Sequence, residues 1–204
     1  MLSQFAELPL VLPVPLVLVI LVAAAFIAGF VVSIAGGGGL ITVPVLLAMG
    51  FPPGLALGTN KLQAVFGSGT ASFNYSRKGL VSREGVLHGV LFTAAGAATG
   101  TFTVTVIDPS FLQKVIPFLL LGIFVYMLLR PDTGELERRR MLSLPLFYLI
   151  FGLCIGFYDG FFGPGTGSFW TVAFVTLAGY NLKQATGHTK IVNFTSNAVS
   201  LGVF

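Results

Sequence analysis

Residues 29–61 read GFVVSIAGGGGLITVPVLLAMGFPPGLALGTNK, and residues 156–190 read GFYDGFFGPGTGSFWTVAFVTLAGYNLKQATGHTK. Each stretch leaves an apolar run through a glycine-rich break. The first break is Gly36-Gly37-Gly38-Gly39 and the second is Gly163-Pro164-Gly165-Thr166-Gly167. A short apolar piece follows in both, at 40–49 and 168–178, about half the ~20 residues a helix needs to cross a bilayer. A turn comes next, and then a segment opening with GTNK or GHTK. Aligning 29–39 with 156–166 gives four identities, and aligning 50–61 with 179–190 gives four more, Lys61 with Lys190 among them. Intramembrane lysine is rare, so that match weighs more than the glycines.

Outward from these stretches, the composition sets the class. The chain has 204 residues, 55% hydrophobic and 9% charged. A soluble domain carries ~25% charged residues. This chain cannot cover a soluble globule with polar surface, and its hydrophobicity excludes disorder. The single cysteine, Cys154, excludes a disulfide scaffold, and buried packing is its expected role. The expected class is all-α, a polytopic transmembrane bundle in two repeated halves with glycine-broken helices and half-helices. Full spans are expected at 10–35, 55–76, 86–107, 111–129, 142–162 and from 182 onward. The apolar run at the N-terminus is too long for a signal-peptide core and reads as a retained span.

Seven of the 11 Lys/Arg residues lie in the loops 77–84 and 130–140. The positive-inside rule puts both loops in the cytoplasm. Residues near 50, 108 and 180 are then expected on the far side. The repeats are expected to divide the chain at 1–130 and 131–204 and to run parallel, with the second incomplete. Two more helices, ~50 residues, would complete it.

A break in a membrane helix is stable only inside protein or against a watery cavity. Half-helices starting there aim free amides and a positive dipole end into that space, which suits an anion. Paired broken helices in two halves are a sequence pointer to a transporter's substrate site; close packing through small residues is the structural alternative. Lys61 and Lys190 cost ~2.5–3.5 kcal/mol each at mid-membrane. Their own spans carry no carboxylate, so a bound anion is the expected counter-charge. Asn60, Gln63, Gly67 and Asn74 form a polar stripe beside Lys61, and Thr189, Asn193, Ser196, Asn197 and Ser200 form one beside Lys190. Interhelical hydrogen bonding would also account for these stripes. The expected substrate contacts are Gly36, Gly37, Gly38, Gly39, Asn60, Lys61, Gly163, Gly165, Thr166, Gly167, Thr189, Lys190 and Asn193. Asp159 and His188 are the candidate proton carriers, with capping of a backbone amide or pairing to Lys190 as the other readings of that acid.

Nucleotide-binding, zinc-protease and nucleophile-elbow motifs are missing from the sequence, as is any Cys/His cluster of metal spacing. No enzyme activity, cofactor, metal or nucleic-acid partner is therefore expected. The expected partners are a small anionic substrate and the lipid bilayer, and homo-oligomers are compatible with this reading.

The motifs GGGGLITVPVL (36–46), GTNK (58–61) and GFYDGFFGPGTGSF (156–169) resemble those of the sulfite exporter TauE/SafE family, also called the toluene-sulfonate uptake permease family. The resemblance implies an integral bacterial inner-membrane protein in two repeated halves that moves sulfite, sulfonates or related organic anions. Secondary transport of a small anion coupled to an ion gradient is the expected function. An anion channel and a non-transporting membrane scaffold or assembly protein are the rival readings.

Overall fold

The computed structural model describes residues 12–34, 37–129 and 139–204. Gly36, Arg130 and Arg138 lie outside the described residues. Every regular element among the described residues is helical: α1 (Val14–Ile34), α2 (Gly39–Ala48), α3 (Pro53–Arg77), α4 (Val86–Val106), α5 (Pro109–Leu129), α6 (Leu144–Phe161), α7 (Thr166–Thr176) and α8 (Leu182–Val203). Residues Tyr148–Gly152 form a π turn within α6.

Local chemistry sets the boundaries. A proline at its first turn opens α3, where a missing N–H costs nothing. The Asn181 side chain caps α8 by accepting from the Gln184 amide at 2.9 Å. Helices α1, α4, α5 and α6 are long and apolar enough to cross a membrane. Their outer faces carry large exposed side chains such as Phe26, at 78% exposure, which a bilayer solvates without cost. Helices α3 and α8 are as long but carry the polar stripes, and they pack against each other at the centre.

The two glycine breaks are hairpin tips. The chain runs along α1 and returns along α2, so that Leu46 and Phe51 share a buried cluster with Val17 near the start of α1. It runs along α6 and returns along α7, so that the amides of Met141 and Leu142 donate to Leu177 O at 2.9 and 3.3 Å. The hairpins open at opposite ends of the bundle. Gly58 lies against Phe204, Gly69 against Phe194 and Gly187 against Tyr75, so α3 and α8 run antiparallel.

This geometry corrects two expectations. The GTNK and GHTK helices point in opposite directions, and a parallel repeat would point them the same way. Residues near 180 lie with the loop joining α3 to α4, because Ser82 N donates to His188 Nε2 at 3.2 Å and a Cβ at Gly187 would stand 3.1 Å from Leu80 O. The expected parity failed because α7 turns back instead of going on across. Arg77, Lys78, Arg83, Arg139, Arg140 and Lys183 therefore gather at one end. There Arg140 donates to Glu84 at 3.0 Å and, through that bond and its charge, holds the Glu84 carboxyl below the usual carboxylate range. Cys154 is a third correction: it is exposed on α6, where an apolar thiol can face lipid.

Helices α4 and α6 run parallel in backbone contact. A Cβ at Gly160 would lie 2.1 Å from Ala97 O, and one at Gly100 would lie 2.1 Å from Phe157 O. Gly152, Gly156 and Gly160 recur every four residues along that seam, the small-xxx-small pattern of close membrane helices. Gly160→Ala is expected to destabilise the protein by about 1–3 kcal/mol through overpacking. Gly122→Ala, at a position with open space around it, is expected to be neutral; thermal melts in detergent compare the two. Single cysteines replacing exposed Ser82 and Lys183 in a Cys154→Ser background are expected to label from one side of the membrane. A cysteine replacing Asp108 should label from the other.

Candidate functional site

Asp159 sits two residues before the end of α6, at the tip of the second hairpin. Lys61, from α3, donates to its Oδ1 at 2.7 Å and also to its main-chain carbonyl oxygen. Ser196, from α8, donates to Oδ2. Lys61, Asp159 and Ser196 are all buried. The ammonium thus answers both the carboxylate and a carbonyl at the negative end of α6.

This is a correction to the charge reading. Lys61 has a carboxylate partner 98 residues away in sequence, where a bound anion was expected as its counter-charge. Asp159 pairs with Lys61, where Lys190 had been the alternative.

The tip itself follows from glycine. Gly163 and Gly165 take φ of +97° and +82°, a region L side chains rarely adopt. A Cβ on Gly163 would stand 2.8 Å from Lys61 Nζ and 2.9 Å from Asp159 Oδ1. The backbone of the break is largely satisfied from within. Tyr158 OH donates to Pro164 O at 2.6 Å, Thr166 Oγ1 to Gly163 O at 2.6 Å, and the Ser168 amide to Gly165 O at 2.9 Å. In the first break the amides of Leu40 and Ile41 donate to Gly37 O and Gly38 O, both at 3.0 Å. Several amides expected to be free for a ligand are therefore already bonded.

The two tips meet. A Cβ on Gly39 would lie 3.3 Å from Pro164 Cα and 3.2 Å from Asn60 Nδ2. Gly39, Asn60, Asp159, Gly163, Thr166 and Asn193 line one polar cavity of about 30 Å³. Ala64, Ser68 and Asn197 complete its wall. That volume admits one or two waters. Gly39 and Thr166 are the first residues of α2 and α7, so two helix N-termini border the same space. The Oδ1 of buried Asn193 has no hydrogen-bond partner among the described residues.

Other expected contacts stand off from this cavity. Gly37 and Gly38 carry the first turn of α2, and Gly167 O accepts from Thr171 Oγ1 at 2.8 Å. A Cβ on Gly165 would meet Ile123 at 2.6 Å. Thr189 Oγ1 lies 3.3 Å from Thr171 Oγ1. Lys190 is buried on α8, three residues before Asn193. His188 lies under the α3–α4 loop, stacked on Tyr180 with centroids 4.5 Å apart and with Nδ1 3.3 Å from Tyr148 OH. It does not border the cavity.

Ser68 was missed as a site residue, and Asn197 was read as a member of the stripe but not as a substrate contact. The four-residue spacing of Asn60, Ala64 and Ser68, and of Asn193 and Asn197, would have found both. Within the stripes, Gln63 Nε2 donates to Ala25 O at 2.7 Å, and Thr101 Oγ1 lies 2.8 Å from Ser200 Oγ. These members serve helix packing, and Asn74 is exposed.

Removing one partner of a buried ion pair strands the other charge. Lys61→Met is expected to cost about 3–5 kcal/mol of stability. The double variant Lys61→Met/Asp159→Asn should recover most of it, as unfolding in detergent would measure; a double variant no more stable than the single one would refute the coupling.

Residues 21–204 match the sequence profile of the family described as Sulfite exporter TauE/SafE. A "Probable membrane transporter protein ORF9" from Sinorhizobium sp is 49% identical over 187 residues, covering 92% of this chain and 72% of that protein. The "Probable membrane transporter protein YfcA" of Escherichia coli K12 is 48% identical over 191 residues, covering 93% of this chain and 71% of its own. An archaeal "Probable membrane transporter protein MJ0441" from Methanocaldococcus jannaschii is 26% identical over 178 residues, 83% of this chain and 66% of its own. No solved structure matches the chain. With a profile match over most of its length and relatives near half identity, this chain belongs to the sulfite exporter TauE/SafE family of integral membrane transporters.

Proposed function

We propose that the protein carries a small organic or inorganic oxyanion across the bacterial inner membrane by secondary transport, with the substrate bound between the two hairpin tips. The observation that carries this reading is that Gly39 and Thr166, which begin the two half-helices, line one polar cavity with Asn60 and Asn193. Two positive helix ends converge there with amide and hydroxyl side chains, and such an arrangement favours negative charge. The sulfite exporter description of the family and the sulfonate chemistry of its alternative name support this choice of substrate class. In this reading 1–130 and 131–204 are two repeats of inverted topology. The loops 77–84 and 130–140 face the cytoplasm.

A cavity of about 30 Å³ is too small for a sulfonate. The tips must part for substrate, and the Lys61–Asp159 pair is the contact that holds the second tip to α3. Protonation of Asp159 would release the Lys61 ammonium to the incoming anion, so a proton and an anion would enter together without net charge. Lys190, three residues before Asn193, supplies a further cation along the path. Asp159 is the coupling group in this scheme, and His188, held by Tyr148 and Tyr180, is not.

Proteoliposome flux tests the reading. Uptake of sulfite or a short sulfonate is expected to saturate, to rise with an inward proton gradient and to lose that dependence in Asp159→Asn. Asn60→Leu with Asn193→Leu should reduce uptake by about 10²-fold or more, as for a site whose polar contacts are lost. Unchanged uptake in that double variant would overturn the site, and unitary currents would favour a channel.

A further inference from the structure

We propose that the cavity selects monoanions that carry a hydrogen-bond donor of their own, such as hydroxylated sulfonates and carboxylates, over anions that offer acceptors alone. This rests on the anion site proposed above and narrows its ligand class.

The donor requirement comes from Asn193. Its Oδ1 is buried with no partner among the described residues, and the residue lines the cavity. A buried acceptor left unpaired is costly, and the cost is recovered only when a donor reaches it. A cavity of this size has room for a water in that role. A substrate that expels the water must replace its hydrogen bond or forfeit affinity. An anion built only of acceptor oxygens would set lone pairs against lone pairs at Asn193. A hydroxyl or ammonium on the ligand would answer them, while its anionic group turns to the helix ends at Gly39 and Thr166.

The charge follows from the ion pair. Asp159 already balances Lys61 at 2.7 Å. The single protonation proposed above uncovers one ammonium charge for the substrate, which suits one negative charge better than two.

The test uses matched pairs that differ by one hydroxyl: methanesulfonate against hydroxymethanesulfonate, and acetate against glycolate. Binding to the purified full chain in detergent is read by calorimetry. The hydroxylated member of each pair is expected to bind about tenfold more tightly or better. In Asn193→Leu the ratio should fall towards one. Equal affinity within both pairs for the unmutated protein overturns the donor requirement, as does a ratio that survives Asn193→Leu. The unmutated ratio decides by itself if that variant does not fold. If no member of either pair binds, the anion site itself falls and this inference goes with it.

Discussion

The ion pair between Lys61 and Asp159 organises the centre of this bundle. Two charges buried in a low-dielectric interior are tolerable only with near-complete hydrogen bonding. The pair meets that condition by drawing on three helices: the ammonium from α3, the carboxylate and a carbonyl from α6, and the Ser196 hydroxyl from α8. The glycine at 163 is a consequence. Its Cβ would fall on the ammonium and the carboxylate, so the chain must pass the pair without a side chain and with left-handed backbone. The break in the second hairpin is thereby tied to a charge contact made from the first half of the chain.

Much of the architecture was legible in residues 29–61 and 156–190. Apolar length gave the spans, and glycine and proline gave the breaks and turns, because these are local properties. Direction was not legible. Identities such as Lys61 with Lys190 say nothing of the relative direction of α3 and α8, and only contacts like Gly58 with Phe204 show that the two run antiparallel. The side of residue 180 was misread for a related reason. A short helix that folds back has the same composition as one that goes on across, and Leu177 O gives the return away only by accepting from Met141 and Leu142. The partner of Lys61 lay outside its own span, so a search along that span could not reach Asp159. Cys154 shows the limit of burial reasoning in a membrane, where lipid and protein core reward the same side chain.

The polar stripes resolve into two kinds of residue. Gln63 and Ser200 bond to neighbouring helices, Ser200 through Thr101 of α4. Asn60, Ser68, Asn193 and Asn197 turn to the cavity. The helical period alone cannot sort them, since both kinds recur at three- and four-residue steps. The hairpin tips decide, because only side chains level with Gly39 and Gly163 face the space between them.

Opposed hairpins also bear on how such a site could open. Hairpin α1–α2 starts and ends at one face of the bundle, and hairpin α6–α7 at the other. Each tip meets the central cavity from its own side, so displacing one tip would expose the cavity towards one face while the other tip stays seated. The two displacements need not be equal in cost. The second tip is held by a buried ion pair, and aligning 29–39 with 156–166 sets an uncharged Val32 opposite Asp159. In the function proposed above, such an asymmetric latch places the coupling carboxylate, Asp159, on the hairpin rooted at the basic face.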